Sequence, residues 1–195
     1  VAGGYKSWRR LVVEALYDQA FAHRLIVLDG NTGTAKTEVL SLLAARGVQV
    51  VDLEGLANHR GSLFGHMGEQ PSQKAFEGRL ALALARLDPS RPVVVEAESA
   101  KVGECRLPPK LWRAMVTAPR ISIEAPRRAR AAYLVRAYAD LVADVARLDG
   151  VVASLAPAHP REVIAEWRVM VAAGAFIDLA EGLMARHYDP RYGKH

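Results

Sequence analysis

The stretch Leu25 to Leu40, LIVLDGNTGTAKTEVL, decides how the rest of the chain is read. Leu25 to Leu28 is an apolar run between a charged residue and a glycine-bearing turn, the pattern of a parallel strand buried on both faces. Glu38 to Arg46 reads as a helix ended by Gly47, and Val48 to Leu53 as a second strand, which together make a βαβ unit. Between strand and helix lies Gly30-Asn31-Thr32-Gly33-Thr34-Ala35-Lys36-Thr37, one residue away from the phosphate-loop pattern G-x-x-x-x-G-K-[ST]. In such a loop successive backbone N–H groups and the positive end of the following helix converge on phosphate oxygens; here Lys36 would neutralise further charge and Thr37 would bind magnesium. Ala35 stands where the pattern has glycine. A helical φ at the start of the helix would let alanine fit there without strain.

Outward from this unit, a leading helix is expected over Trp8 to His23, with Leu11, Val12, Ala15, Leu16 and Ala20 at helical spacing. Glu54 to Ser72 holds four glycines and no clear period, and reads as a long functional loop. A helix from about Gln73 to Leu87, a strand Pro92 to Val95, a helix Pro109 to Ala118 and a strand Arg120 to Ile123 follow. A long amphipathic helix is expected from about Arg128 to Leu148, broken at Gly150, and then helices over Glu162 to Ala172 and Ala175 to His187. Alternating strands and helices imply an α/β fold of the P-loop NTPase-like three-layer type, with a mostly parallel sheet and a helical C-terminal extension. The 195 residues, 51% hydrophobic, suit one domain. Its parts would be a leading segment over 1–24, a P-loop core over 25–125, and a helical lid and C-terminal region over 126–195.

The third strand runs into Glu96 within VVVEAES, an apolar strand followed by an acid, as in the Walker B arrangement that holds magnesium directly or through water. Glu96 is the first choice and Glu98 the second; an acid at a strand's polar end is the plainer reading. Pro126-Arg127-Arg128-Ala129-Arg130 resembles the lid of P-loop kinases, where an arginine reaches the phosphates, and would otherwise be a solvated helical face.

The formal charge is +5, and between Lys101 and Arg147 ten Lys/Arg stand against four Asp/Glu. Such a segment suits a polyanion such as RNA, or a solvated face. Cys105 is the single cysteine, which forbids an internal disulfide and an all-cysteine metal cluster, and it reads as an ordinary thiol. No run has the length of a membrane helix and the N-terminus lacks a signal-peptide stretch, so a cytoplasmic protein with no membrane partner is expected.

More specific pieces lie in the loop after the second strand: Leu56-Ala57-Asn58-His59-Arg60-Gly61-Ser62, Phe64-Gly65, Gln70-Pro71-Ser72-Gln73 and Phe76-Glu77. With Gly3-Gly4-Tyr5-Lys6, Glu98-Ser99, Gly103, Leu107-Pro108, Pro126, Arg130, Tyr138 and His187-Tyr188-Asp189-Pro190, they closely resemble bacterial tRNA 2-selenouridine synthase over nearly the whole chain. The resemblance implies a transferase that modifies 2-thiouridine at the tRNA wobble position: S-geranylation from geranyl diphosphate, then replacement of S-geranyl by selenium from selenophosphate. It also implies an N-terminal rhodanese-like domain with a catalytic cysteine. The resemblance begins where that domain would end, so selenation is expected to need a rhodanese domain or partner protein, the chain being half of a split enzyme or a trimmed one.

On this reading Gly30 to Thr37, with Lys36, Glu96 and magnesium, would stabilise charge on the diphosphate leaving group. The loop residues His59, Arg60 and Ser62 would touch diphosphate or tRNA phosphate, Arg60 within the catalytic group. Phe64, Met67, Leu63 and Phe76 would hold the prenyl tail, and Tyr133, Tyr138 or Trp112 would stack on the anticodon-loop base, unless core packing claims them. Two other readings stay open: a P-loop kinase or NTPase using ATP or GTP on a small substrate, and a non-catalytic tRNA-binding module.

Overall fold

Strand β1, Leu25–Asp29, lies inside a four-stranded parallel sheet with β2 (Gln49–Val51), β3 (Val93–Glu96) and β6 (Arg120–Ser122), in the order β2-β3-β1-β6. The registers Leu25↔Val93, Val27↔Arg120 and Gln49↔Val93 bring the carboxyl ends of the strands to one edge. In a sheet of this kind ligands bind at that edge, and side chains following the strands are the ones it can use.

The computed structural model describes residues 3–60, 64–65 and 68–192. The chain divides into two compact units, one formed by Val1–Asp29 with Lys36–Ser122, the other by Gly30–Ala35 with Ile123–His195.

The first unit holds the sheet. Alternate residues of its strands, Leu25, Val27, Val51, Val93 and Val95, share one hydrophobic core with Val12 of α1 (Gly4–Val13). Phe76 and Leu80 of α4 (Gln73–Ala85) and Leu111 and Met115 of α5 (Pro109–Thr117) complete it. Helix α2 (Lys36–Ala45) packs on β1, β2 and β3 through the buried Leu40, which stands outside that core. Both faces of the sheet are therefore covered, which is why its central strands read as continuous apolar runs. The leading helix is shorter than its periodicity suggests: after Val13 it widens into a π-helical turn, Glu14–Asp18. Glu77 pins this region to α4, paired with Arg9 at 2.5 Å and accepting a 2.7 Å hydrogen bond from the Tyr17 hydroxyl. Burial, then the Glu77 bond, push Tyr17 up to about 12.

Two short elements depart from the sequence expectation. The first turn of the supposed loop is a helix, α3 (Leu53–Ala57), with Asp52 as N-cap accepting from the Gly55 N–H at 2.7 Å and Asn58 in the left-handed region at φ 50°. A hairpin of β4 (Lys101–Val102) and β5 (Cys105–Arg106) follows β3. Cys105 is buried there, and burial pushes its thiol up, away from a reactive thiolate.

The second unit is helical apart from its short loop. The expected single helix over Arg128 to Leu148 is three: α6 (Arg127–Ala137), α7 (Ala139–Ala143) and α8 (Val145–Ala153). The break before α8 is set by Asp144, whose carboxylate accepts from the Arg147 N–H at 3.0 Å, whereas Gly150 continues the helix. Helices α9 (Arg161–Ala172) and α10 (Phe176–Leu183) follow, then a π-helical turn, Met184–Tyr188, and α11 (Asp189–Tyr192). Among the described residues no helix is long and apolar enough to cross a membrane.

Candidate functional site

In the sheet-bearing unit three carboxyl groups meet where the strands end. Glu96, the last residue of β3, is fully buried; Glu98 follows it by two positions, and Glu54 comes from α3, just past β2. All three can place an oxygen within 4.8 Å of one another. Thr37, in the first turn of α2, sets its hydroxyl oxygen 3.0 Å from Glu54 Oε2 and 3.1 Å from Glu96 Oε2. One hydroxyl proton can be donated to only one of these, so the other contact needs a protonated carboxyl donating to the hydroxyl. The Glu54 backbone N–H donates to Glu96 Oε1 at 3.4 Å.

Like charges at this spacing cannot all ionise in a buried place. Burial, and next the Glu98 carboxylate, push Glu54 up to about 8. Burial, then Glu54 and Asp52, push Glu96 up to about 8. Burial, then Glu96, push Glu98 up to about 7. The Lys36 ammonium opposes the rise at both Glu54 and Glu98, which places it beside the acids. Three carboxylates and a hydroxyl are hard oxygen donors, the set magnesium takes, and their shared protons are what a divalent cation would displace. The residues therefore fit the ion.

The second unit contains the loop Gly30–Ala35. Gly30 (φ 147°) and Gly33 (φ 85°) have backbones that side chains rarely adopt. A Cβ on Gly30 would also lie 2.7 Å from the Ile123 carbonyl oxygen, and one on Gly33 2.9 Å from that of Arg130. Thr34 closes the turn, its N–H and hydroxyl both donating to the Asn31 carbonyl, at 3.2 and 2.9 Å. Ala35 corrects the expectation drawn from its neighbour Lys36. Its φ is +60°, left-handed rather than helical, so the pattern's glycine is the unstrained residue here and the alanine methyl costs about 1–2 kcal/mol.

Residues 23–159 match the family model described as the tRNA 2-selenouridine synthase AAA domain. The chain belongs to that family. It is 43% identical over 142 residues to tRNA 2-selenouridine synthase of Hahella chejuensis (strain KCTC 2396), covering 71% of this chain and 36% of that protein. It is 41% identical over 143 residues to the synthase of Marinobacter nauticus (strain ATCC 700491 / DSM 11845 / VT8), covering 72% and 38%. The chain thus spans a little over a third of the length of these curated relatives.

With a tRNA 2-selenouridine synthase domain in view, the motif residues can be placed one by one. Thr37, Lys36, Glu96 and Glu98 come together, and Glu54, which the sequence reading passed over, is the member of the post-β2 loop that joins them. Its signal was weaker than that of Glu96: an acid three positions past the end of β2, inside the short helix α3. His59 is buried beyond α3, its N–H donating to the Glu54 carbonyl at 3.0 Å, and the Arg60 N–H donates to Gly65 O at 3.0 Å. Ser62, Leu63 and Met67 lie outside the described residues. Phe76 belongs to the core, Phe64 is buried, Trp112 packs partly buried on the core, and Tyr133 and Tyr138 are half-buried.

The QPSQ residues hold backbone. Gln70 accepts from the Glu104 N–H at 2.8 Å and donates to the carbonyls of Ala57 (2.9 Å) and Val102 (3.3 Å). Gln73 accepts from the Arg106 N–H at 2.8 Å and donates to the Arg106 carbonyl at 2.9 Å. Ser72 caps α4. The two amides thus pair with the β4–β5 hairpin as a strand would. Arg130 is buried and paired with Asp189, not exposed as a solvated lid face would be.

Proposed function

We propose that this chain is the part of a tRNA 2-selenouridine synthase that binds geranyl diphosphate and the tRNA anticodon stem-loop for S-geranylation of wobble 2-thiouridine. Selenation from selenophosphate is then left to a rhodanese domain or partner carrying the cysteine. The observation that supports this best is the cluster of Glu54, Glu96 and Glu98 around the Thr37 hydroxyl beside Lys36, a site short of positive charge, in a chain whose lone cysteine is buried.

The reaction asks little covalent chemistry of the protein. The thiocarbonyl sulfur forms a bond to C1 of the geranyl group, the C1–O bond breaks, diphosphate leaves with the electron pair, and the base gives up its N3 proton. What the chain supplies is charge stabilisation on the leaving group, from Lys36 and the backbone N–H groups of the motif Gly30 to Thr37. Thr37, Glu54, Glu96 and Glu98 would hold magnesium, which when bound supplies further positive charge at the diphosphate. His59 and Arg60 would contact diphosphate or tRNA phosphate, and the basic segment Lys101 to Arg147 would follow the tRNA backbone. In this reading the chain acts in the cytoplasm, on tRNA.

The test is direct. The chain is incubated with 2-thiouridine tRNA, geranyl diphosphate and magnesium, and the nucleosides are analysed by mass for the geranyl adduct, alongside calorimetric titrations with geranyl diphosphate and ATP. Micromolar binding of ATP with no response to geranyl diphosphate and no adduct would favour a P-loop kinase or NTPase instead. Binding of tRNA alone would leave a non-catalytic module.

A further inference from the structure

An ion pair of the helical unit, its arginine buried, touches the phosphate loop of the same unit. Arg130, on α6, is 6% exposed and its partner Asp189 16%. Arg130 Nη1 donates to Asp189 Oδ1 at 3.0 Å and Nη2 to Oδ2 at 2.8 Å. The same Nη1 donates to the Thr32 carbonyl at 2.9 Å. Arg127 Nε stands 3.7 Å from Asp189 Oδ2 and completes the charge around that carboxylate. Both protons of Nη1 are thereby used, one on the carboxylate and one on the loop.

We infer that Asp189 is a positioning residue: by holding Arg130 it fixes the peptide that joins Thr32 to Gly33, and so sets how well the loop Gly30–Ala35 receives a diphosphate. The inference rests on the phosphate reading for its consequence, although not for the clamp itself. The physical step is short. A trans peptide is planar with its C=O and N–H antiparallel, so a guanidinium that fixes the Thr32 carbonyl also fixes the direction of the Gly33 N–H, away from Arg130. Anion-binding loops depend on such N–H groups being aimed together before the ligand arrives. Gly33 has no side chain to hold it, it lies close against the Arg130 backbone, and the Arg130 guanidinium is a polar anchor of the peptide before it.

The placement of Asp189 is itself built. It follows directly on the π-helical turn Met184–Tyr188, and wide turns of this kind re-aim the residues after them. His187 in that turn is buried, its Nδ1 2.8 Å from His159 Nε2 and its Nε2 bonded to Arg191. The π-helical turn is thereby tied to the segment before α9 and to Arg191, so Asp189 is held from both sides. Arg130 is thus assigned to the loop's carbonyl, in place of the phosphate contact expected of a lid arginine.

Two readouts test this on the full chain: hydrogen exchange of the peptide covering residues 30–35, and titration with inorganic pyrophosphate and geranyl diphosphate in magnesium. Asp189→Asn keeps the shape and removes the charge. It is expected to speed exchange over residues 30–35 and raise the pyrophosphate Kd, each about ten-fold, as loss of a charge-assisted bond does. KM for geranyl diphosphate should rise while kcat stays within about two-fold, since the anchor is lost before and not during the reaction. Asp189→Glu should recover most of the protection, and Asp178→Asn, which breaks the exposed pair with Arg128, should change neither readout. Unaltered exchange over residues 30–35 in Asp189→Asn overturns the clamp whatever the ligand. If that variant loosens the whole helical unit, Arg130→Lys decides: protection kept over residues 30–35 overturns the clamp, and loss confined to them supports it. A wild-type chain that ignores pyrophosphate counts against the phosphate reading alone, and the exchange result still judges the clamp.

Discussion

Glu54, Glu96 and Glu98 crowd three carboxyl groups into one spot at the carboxyl edge of the sheet, while the buried Arg130 and the half-buried Asp189 meet in the helical unit as opposite charges with two hydrogen bonds. The helical unit repeats the second pattern at its surface, with Arg168 on Asp149 and Arg186 on Glu166. A matched pair is complete as it stands, and removing one member leaves a charge stranded. A cluster of like charges is complete only when protons or a cation arrive. Charge left unmatched by the fold marks where a ligand belongs, and charge matched within the fold marks what holds the shape.

The largest effect should come from removing the cation at the unmatched cluster. Lys36→Ala takes away the ammonium that opposes the rise at Glu54 and Glu98 and the lysine proposed for the leaving group. Geranylated nucleoside is expected to fall about 100-fold or more, the scale seen when one preorganised charge stabiliser is lost, while the melting temperature stays the same or falls slightly, since the acids lose the cation beside them. A variant with wild-type yield would take the motif out of the mechanism and leave the cluster as a structural oddity.

Next in size is pH, because buried groups in the two units titrate with opposite signs. Glu54 and Glu96 at about 8 and Glu98 at about 7 hold protons in the folded chain that the unfolded chain releases near the ordinary 4.5. Stability from this cluster is therefore lost as pH rises from about 4.5 to 8, at most about 1.4 kcal/mol per pH unit for each proton of difference. In the helical unit burial, then Arg191 and His159, push His187 down to about 4 from 6.5, so the unfolded chain takes up that proton first. Stability there is lost as pH falls from about 6.5 to 4. Thermal melts across this range should show both limbs. Millimolar magnesium should lift the alkaline limb alone, because it binds the deprotonated acids, and Glu96→Gln should flatten it. An alkaline limb that ignores magnesium would mean the acids do not hold the ion.

These contrasts also explain what could be read without coordinates. The strand, loop and helix from Leu25 to Leu40 and the acid ending β3 are local patterns, each made by residues adjacent in sequence, and α2 and the parallel sheet follow from them. Glu54 was hidden because α3 is five residues long, too short for its period to show among four glycines. The Arg130–Asp189 pair spans 59 positions, and no spacing rule announces it. Gln70 and Gln73 belong to a specific motif and invite a ligand role, yet their amides bond backbone more than 30 positions away. The break in the long helix went to Asp144 because a side-chain cap fixes a helix start, while a glycine inside a helix costs only about 1 kcal/mol and is tolerated.

The smallest effect belongs to Ala35, the last residue of the loop and the one departure from the phosphate-loop pattern. At φ +60° its methyl group crowds the following carbonyl, a cost of about 1–2 kcal/mol that glycine does not bear. Glycine brings its own entropic cost of about 0.5–1 kcal/mol on folding, so Ala35→Gly should stabilise the chain by a net of roughly 0.5–1 kcal/mol, or a few degrees in Tm. Ala35→Val should lose more than Ala35→Gly gains, because a β-branched side chain is the poorest tenant of that region. If Ala35→Gly is destabilising, the backbone at this position is helical in solution and the strain is absent. If it stabilises the fold but weakens pyrophosphate binding, the methyl group is helping to hold the loop open, and the strain at Ala35 then works together with the Arg130 anchor at Thr32.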